Sequence, residues 1–218
     1  LKKLKLDMNK TRLSVGIIDL TINNMFSVYR SCLKAGFKTE IIDLKKNKLN
    51  YDIVILPGVG TFKSGMKFLK KTHLNNKLLD YLERPNAFVY GICLGMQLLF
   101  NKSYEFVETN GLELINGEVL KFHDIKANAT HIGWNKLNIK NENFKKDFKK
   151  FENKYFYFIH SYYTKPKFKK DIFASSQYGT MNFCSVVKRG NIFGTQFHPE
   201  KSGFLGIEFL KNLKNLKN

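Results

Sequence analysis

The sequence predicts an α/β protein with a mostly parallel central sheet, flanking helices and a β-rich second half. Short apolar, β-branched runs alternate with helical segments through about the first hundred residues, and this alternation is typical of a parallel sheet covered by helices on both faces. After Leu112 the pattern changes to a series of shorter strands. With 218 residues and 43% hydrophobic side chains, the chain can bury a core without metal or disulfide staples.

Each predicted element of the first half follows from its residue pattern. Strands are predicted where apolar and β-branched residues run together, and helices where apolar residues recur at helical spacing. Gly36 ends the first helix, because glycine readily adopts the conformation that closes a helix. The predicted strands are residues 14–20, 39–44, 51–56 and 87–92, and the predicted helices are residues 25–35, 63–81 and 94–100.

The second half is predicted to add further strands, and a helix over 203–216 closes the chain. Those strands are residues 119–122, 136–139, 155–159, 172–177, 184–188 and 192–196. Phe144, Phe148 and Phe151 recur at helical spacing in a lysine-rich segment, which predicts a short amphipathic surface helix. No internal repeat or linker divides the chain, so we expect one domain over 13–218, preceded by a disordered extension over 1–12.

The charge of the chain raises nucleic-acid binding as a hypothesis. The formal net charge is +19, from 37 Lys and Arg against 18 Asp and Glu. Phosphate and base recognition tends to use arginine, whereas arginine stands here only at positions 12, 30, 84 and 189. The composition therefore favours solvated, lysine-rich faces, and we expect no nucleic-acid partner.

The expected compartment follows from the cysteines and the apolar runs. No apolar run approaches the ~18 residues of a membrane span, and the first residues lack the apolar region of a signal peptide. Cys32, Cys93 and Cys184 are odd in number without C-x-x-C spacing, which fits a reducing compartment. The histidines show no metal-ligand spacing. We therefore expect a cytoplasmic protein with no membrane contact, no metal and no cofactor.

The candidate nucleophile is Cys93, at a predicted strand-to-helix junction. The local sequence GICLG over 91–95 has the form of a nucleophile elbow, G-x-S-x-G, with cysteine in place of serine. The two glycines permit the tight, strained turn that lifts the side chain off the sheet, and a helix N-terminus favours the thiolate. The alternative is a small buried cysteine packed between glycines. Cys32 and Cys184 lack this setting and are expected to be core residues.

The candidate base is His198, which follows a predicted strand near the C-terminus. A cysteine nucleophile needs a base and usually a group that orients the base. His198 and Glu200 stand two residues apart, and the proline between them stiffens the link. His198 can withdraw the thiol proton while Glu200 holds the imidazole tautomer. The alternative is a loop histidine next to a surface glutamate.

Five motifs, taken together, resemble one family. They are LPGVG at 56–60, GICLGMQLLF at 91–100, HIGWN at 131–135, YFIHSYY at 157–163 and GTQFHPEKSG at 194–203. The chain resembles the class I (triad-type) glutamine amidotransferases, and more narrowly the glutaminase subunits of imidazole glycerol phosphate synthase. The resemblance runs from Leu13 to the C-terminus and implies the class I glutamine amidotransferase-like fold.

The resemblance also implies roles for individual residues. Cys93 would attack the side-chain amide of glutamine, with His198 and Glu200 completing a catalytic triad. The oxyanion-hole residues it implies are Gly58, Val59 and Leu94, and the glutamine-binding residues are Gly60, Gln97, Glu105, Ser161 and Tyr162. Relatives are thought to switch activity by a peptide flip in the LPGVG segment, and the glycines on both sides of Val59 make such a flip easy.

The implied partner is a (β/α)8-barrel synthase subunit that receives the ammonia and forms imidazole glycerol phosphate and an aminoimidazole carboxamide ribotide in histidine biosynthesis. Trp134 is the only tryptophan, and it stands in a short polar-flanked motif. Tryptophan is enriched among interface hot spots, and the alternative is a core aromatic. The interface residues implied by the resemblance are Asn24, Trp134, Tyr157 and Lys201.

One turn departs from the family pattern. Relatives usually end the first strand in Asp-Tyr-Gly-x-Gly-Asn, whereas this chain has DLTINN over 19–24. Asp19 and Asn24 are kept, but the tyrosine and both glycines are replaced. Because this turn faces the partner in relatives, the departure leaves a second pathway open. The alternative is a paralogous subunit that supplies ammonia for the amidination of surface sugars.

Overall fold

A computed structural model describes residues 12–20, 25–45, 48–123, 130–140 and 145–216. Within these ranges twelve strands form one sheet and two strands form a small separate sheet. This confirms the predicted α/β fold with a mostly parallel central sheet and a β-rich second half. The predicted extension over 1–12 lies, apart from Arg12, outside the described residues.

The parallel part of the sheet brings two distant segments together. Its strands are β1 (Ser14–Ile17), β2 (Lys38–Ile41), β3 (Ile53–Gly58), β4 (Val89–Cys93) and β14 (Ile192–Thr195). They lie in the order β2-β1-β3-β4-β14, and β14 runs parallel to β4 although about a hundred residues separate them in the chain. The carboxyl ends of β4 and β14 therefore meet at one edge of the sheet, where Cys93 ends one strand and His198 follows the other.

The remaining strands, most of which pair in antiparallel register, extend the sheet beyond β14. They are β5 (Phe100–Ser103), β6 (Thr109–Asn110), β7 (Ile115–Lys121), β9 (Asn138–Ile139), β11 (Tyr162–Pro166), β12 (Ile172–Tyr178) and β13 (Met181–Arg189). The separate sheet pairs β8 (His131–Lys136) with β10 (Tyr155–His160) in antiparallel register. In it Trp134 lies opposite Tyr157, and His131 lies opposite His160.

The helices cover both faces of the sheet. They are α1 (Met25–Lys34), α2 (Phe62–Lys71), α3 (Leu74–Leu82), α4 (Leu94–Leu98), α5 (Lys145–Phe148), α6 (Gly203–Lys211) and α7 (Leu213–Leu216). Alternate residues of β3 enter two separate core clusters: Ile53 and Ile55 enter one, and Val54 and Leu56 enter the other. The side-chain alternation of a strand thus divides the core between the two faces.

Three predicted helices are wrong in extent. The helix predicted over 63–81 is two helices, α2 and α3, because His73 adopts a left-handed backbone with φ 54° that a right-handed helix cannot continue. The helix predicted over 203–216 is divided at Asn212 into α6 and α7. The helix predicted over 94–100 ends at Leu98, and Phe100 begins β5.

Several strand predictions are also wrong. The strand predicted over 136–139 is the end of β8 followed by β9, and β5, β6 and β11 were not predicted. The residues of β5 (Phe-Asn-Lys-Ser) and of β11 (Tyr-Tyr-Thr-Lys-Pro) are too polar to form the apolar runs on which the prediction rested. Both strands form through pairing with β7.

The predicted lysine-rich surface helix contributes to the core. Phe144 lies outside the described residues, but α5 and the 3-10 turn Lys149–Phe151 follow it. Phe148 and Phe151 are fully buried against Phe209 of α6. Within the described residues, no helix is long and apolar enough to cross a membrane.

Helix α4 packs against β3 at unusually close range. A Cβ atom added at Gly95 would lie 1.6 Å from the carbonyl oxygen of Leu56, and one added at Gly91 would lie 2.6 Å from the carbonyl oxygen of Gly95. Both obstacles are backbone atoms, which cannot rotate away as side chains can. Neither glycine has a positive φ. The two glycines therefore permit the tight turn around Cys93, as predicted, and they do so by allowing close approach of backbone atoms and not by adopting a positive φ.

We expect Gly95→Ala to destabilise the fold by about 3 kcal/mol, because the added methyl forces α4 away from β3. Urea unfolding followed by circular dichroism measures this loss. Gly65→Ala in α2 is the matched control, because its Cβ would meet side-chain atoms and not backbone: the Leu98 side chain at 3.0 Å and the Leu94 side chain at 3.6 Å. The control should change the unfolding free energy by about 1 kcal/mol or less, and equal effects of the two variants would contradict the packing argument.

Candidate active site

Cys93 forms a strained junction between β4 and α4. Its backbone has φ 54° and ψ −109°, a combination that costs a residue with a side chain of order 1–3 kcal/mol. The side chain stands at the N-terminal end of α4 and is 6% exposed. This is the geometry of a nucleophile elbow, in which local strain presents the reacting atom at the end of the strand.

His198 and Glu200 form a buried pair at the end of β14. The Nδ1 atom of His198 lies 2.7 Å from Oε1 of Glu200, and both side chains are 1% exposed. Glu200 lies in the short 3-10 turn Pro199–Lys201 that follows the histidine. The burial excludes the alternative of a loop histidine next to a surface glutamate.

The electrostatics of His198 favour its charged form. Burial alone would lower the pKa of His198, but the charge and hydrogen-bonding capacity of Cys93 and Glu200 outweigh burial and raise the pKa to about 10. The Nε2 atom is buried and makes no conventional hydrogen bond within the described residues. An imidazolium next to a thiolate can both stabilise the nucleophile and deliver a proton.

Three residues that the sequence did not single out contact this centre. The Nε2 atom of Gln196 lies 3.6 Å from the Cys93 sulfur. The Cys93 thiol lies 3.8 Å from the backbone carbonyl oxygen of Ile159. The Ser202 hydroxyl donates to the His198 carbonyl at 2.7 Å. Gln196 and Ser202 stand in the GTQFHPEKSG motif, but only their positions beside Cys93 and His198 in space reveal these contacts.

A cavity of about 520 Å³ opens beside Cys93, within the range of ligand-binding clefts, roughly 300–1,000 Å³. The predicted site residues that line it are Val59, Gly60, Leu94, Gln97, Glu105, Ser161 and Tyr162. Gly58 lines instead a cavity of about 10 Å³ that also contacts His198 and Glu200. Lys121 and the strained, exposed Phe106 also line the larger cavity and were not predicted.

The polar side chains of the cavity are already partly held by the protein. Glu105 accepts a hydrogen bond from the backbone N–H of Phe62, at the start of α2. Burial raises the pKa of Glu105, and this hydrogen bond opposes the shift. The amide nitrogen of Gln97 donates to the carbonyl of Tyr162 at 2.9 Å and to Gln196 at 3.2 Å. The Gln97 amide oxygen is thus the atom that can meet a ligand.

Two of the predicted interface residues, Trp134 and Tyr157, lie on one face of the small sheet, and Lys201 ends the 3-10 turn Pro199–Lys201. Trp134 is 56% exposed, which excludes the alternative of a core aromatic. Its ring contacts the Tyr157 ring edge-on, with the ring centres 5.9 Å apart. The ammonium group of Lys201 lies 6.0 Å from the centre of the same tyrosine ring. Asn24 lies outside the described residues.

Two buried histidines lie beside the cavity. Nδ1 of His131 is 3.1 Å from Nε2 of His160, and the two side chains are packed among aromatic rings that include Phe122 and Phe183. Burial lowers the pKa of His131 to about 4 and that of His160 to about 3. Both are therefore neutral at physiological pH. Within the described residues, no cluster of three or more ligating side chains could hold a metal ion.

The class to which this fold and site belong is that of the glutamine amidotransferases. The family model described as glutamine amidotransferase class-I matches residues 16–213, which is most of the chain, and the chain belongs to this family. Two solved structures share the fold at 18% identity. PurLQS from Thermotoga maritima has a TM-score of 0.70 and covers 94% of this chain and 100% of that one. A glutamine amidotransferase from the same organism has a TM-score of 0.60, with coverages of 94% and 83%.

Curated relatives identify a subgroup within the glutamine amidotransferases. The chain is 40% identical to the imidazole glycerol phosphate synthase subunit HisH of Carboxydothermus hydrogenoformans over 92% of this chain and 98% of that protein. It is 38% identical to the subunit of the same name from Methanocaldococcus jannaschii, with coverages of 93% and 99%. The Sulfolobus acidocaldarius HisH is 36% identical, with coverages of 90% and 95%. Within the class I family, the chain groups with the HisH subunits.

We expect the protein to lose stability as the pH falls below 6.5. In the unfolded chain His131 and His160 bind protons below this pH, whereas in the folded protein their lowered pKa values keep both neutral. The loss should reach about 1–2 kcal/mol for each histidine by about pH 5. Urea unfolding at a series of pH values measures it. The double variant His131→Phe, His160→Phe should show a shallower pH dependence, and an unchanged slope would rule out this origin.

Proposed function

We propose that this chain is the glutaminase subunit of an imidazole glycerol phosphate synthase in histidine biosynthesis. It hydrolyses glutamine to glutamate and ammonia and passes the ammonia to a synthase subunit. The observation that carries the proposal is Cys93 at a strained elbow, beside the buried His198–Glu200 pair and at the wall of a ligand-sized cavity. The HisH relatives favour this pathway over the amidination of surface sugars.

In the proposed mechanism, Cys93 is the nucleophile and His198 moves the proton. The thiolate attacks the side-chain carbonyl carbon of glutamine, and a carbon–sulfur bond forms while the carbonyl oxygen becomes an oxyanion. His198 then donates its proton to the amide nitrogen, the carbon–nitrogen bond breaks, and ammonia leaves a thioester. Next, His198 takes a proton from water, and the hydroxide attacks the thioester carbon. The carbon–sulfur bond breaks, which releases glutamate and restores the thiolate–imidazolium pair.

The oxyanion would be held by backbone N–H groups. Leu94 begins α4, so its N–H points out of the helix N-terminus, where backbone donors have no partner within the helix. Val59 also lines the cavity and supplies the second donor in this proposal. Gly60 has φ 105°, a conformation open to glycine. That freedom supports a peptide reorientation at 58–60 as the switch between resting and active forms.

The proposed glutamine contacts divide between the two ends of the substrate. The carboxylate of Glu105 would accept the α-ammonium group, and the amide oxygen of Gln97 would accept a further N–H of the substrate. The backbone at Ser161 and Tyr162 would meet the α-carboxylate. All four residues line the cavity next to Cys93, so one bound amino acid can reach them while its side chain reaches the sulfur.

The proposed partner is a (β/α)8-barrel synthase subunit that binds the exposed face around Trp134. Aromatic side chains of this exposure are costly to leave in water and are typical of interfaces. Lys201 stands beside Tyr157 at the border between this face and the cavity, where it can pair with a carboxylate of the partner. We expect the isolated chain to hydrolyse glutamine feebly, because the partner biases the segment 58–60.

Cys93→Ala should abolish glutamine hydrolysis in the complex with the synthase subunit and leave the fold intact, because the variant loses the reacting atom. A coupled glutamate assay measures activity, and thermal unfolding measures the fold. Cys184→Ser is the control. Cys184 is buried, and burial raises the pKa of its thiol to about 12, so this residue should be dispensable. Retention of more than about a tenth of the parent activity by Cys93→Ala would overturn the assignment.

Trp134→Ala should weaken binding of the synthase subunit by about 2 kcal/mol or more while the melting temperature of the free chain stays nearly unchanged. The reason is that the ring is mostly exposed in the free chain and would become buried only against the partner. Titration calorimetry measures the affinity. Leu79→Ala is the control: Leu79 is 45% exposed on α3, outside this sheet. Unfolding of the Trp134→Ala chain, or equal affinities for both variants, would refute the interface.

A further inference from the structure

The buried pair His131 and His160 has no part in the mechanism above. The two imidazoles are 3% and 6% exposed, and a nitrogen of each faces the other at 3.1 Å. A buried polar pair of this kind is costly unless every ring nitrogen has a partner of the right kind. The partners at its two ends determine where the protons lie.

The first end is the backbone carbonyl of Tyr162. A carbonyl oxygen only accepts hydrogen bonds, so Nδ1 of His160, at 2.8 Å, carries the hydrogen. A neutral imidazole has one N–H, and Nε2 of His160 is therefore an acceptor. The facing Nδ1 of His131 must then be the donor in the contact between the two rings.

The other end is the side chain of Asn135. The Asn135 oxygen accepts the backbone N–H of Lys136 at 2.7 Å, which directs its amide nitrogen toward other acceptors. That nitrogen donates to the Gln177 carbonyl at 2.7 Å and lies 3.3 Å from Nε2 of His131. Nε2 of His131 is thus an acceptor, and Nδ1 of His131 carries the hydrogen. The two ends independently require the same tautomer, with the hydrogen on Nδ1 of both rings.

The chain of hydrogen bonds continues from Tyr162 to the nucleophile. The carbonyl that accepts from His160 also accepts from the amide nitrogen of Gln97 at 2.9 Å. The same Gln97 nitrogen donates to Gln196 at 3.2 Å. The Gln196 nitrogen in turn lies 3.6 Å from the Cys93 sulfur. A continuous path of polar contacts therefore joins β8 to the reacting atom.

We propose that His131 and His160 are positioning residues that orient Gln97 in the glutamine site. The neutral pair holds the Tyr162 carbonyl in place, and this carbonyl turns the Gln97 amide so that its oxygen faces the cavity. Loss of the pair frees the Gln97 amide to rotate. This rotation weakens the binding of glutamine more than it slows the chemical step. This inference rests on the proposed glutaminase function.

The kinetic test compares variants in the complex with the synthase subunit. His160→Phe keeps the ring volume but removes both nitrogens, and it should raise the KM for glutamine about tenfold while kcat stays within about threefold. His160→Asn keeps a donor within reach of the Tyr162 carbonyl and should return the KM to within about threefold of the parent. His73→Asn is the control, because His73 lies between α2 and α3 and asparagine tolerates its left-handed backbone. An unchanged KM in His160→Phe, or no recovery in His160→Asn, would overturn the proposal.

A second measurement does not depend on activity or on the folding of a variant. Nitrogen-15 NMR of the parent protein should show both imidazoles neutral at pH 7, with the hydrogen on Nδ1 of each. An Nε2–H tautomer or a charged ring at either position would overturn the proposal. A parent complex without glutaminase activity would instead refute the proposed function, whereas an active parent whose variants keep the parent KM would refute the positioning role alone.

Discussion

The contact between α4 and β3 is the constraint on which the rest of the site depends. The helix approaches so closely that a methyl group at Gly95 would overlap the carbonyl oxygen of Leu56. A chain that leaves β4 and enters a helix so near the neighbouring strand has to turn within one residue, and Cys93 carries that turn at φ 54°. Strain of this kind persists only where the surrounding packing over-determines it. Alternate side chains of β3 and β4 are buried in the two core clusters and supply that packing. As a result, Cys93 lines the cavity.

The electrostatic arrangement depends on the same strand ends. Burying Glu200 and His198 costs desolvation energy, and only close partners offset it. The 2.7 Å hydrogen bond within the pair supplies one partner, and Cys93 at the start of α4 supplies the other. By contrast, the net charge of +19 comes largely from lysines, and most of the lysines that the structure describes are exposed. The charges of the proposed site are few, buried and close to one another.

Sequence patterns predicted the elements that local chemistry dictates and missed those that tertiary pairing creates. The apolar runs of β3 and β4, the GICLG turn and the triad candidates could all be found from residue type and spacing. The break at His73 could not, because a positive φ is uncommon at any residue other than glycine. Polar strands such as β5 and β11 become strands only through pairing with β7. The roles of Gln196 and of the pair His131 and His160 were not predicted for the same reason: the residues that they contact are distant in sequence.

The strand β10 links the exposed aromatic face to the buried centre. The Tyr157 side chain stands on that face opposite Trp134, while its backbone carbonyl accepts the N–H of His198 at 2.9 Å. Two residues later, the Ile159 carbonyl lies against the Cys93 sulfur. Hydrogen bonds weaken steeply with misalignment, so a small displacement of β10 changes the surroundings of Cys93 and His198 at once. A partner on the proposed interface could therefore alter the geometry of the proposed catalytic residues without entering the cavity, because one strand supplies both that face and the acceptors.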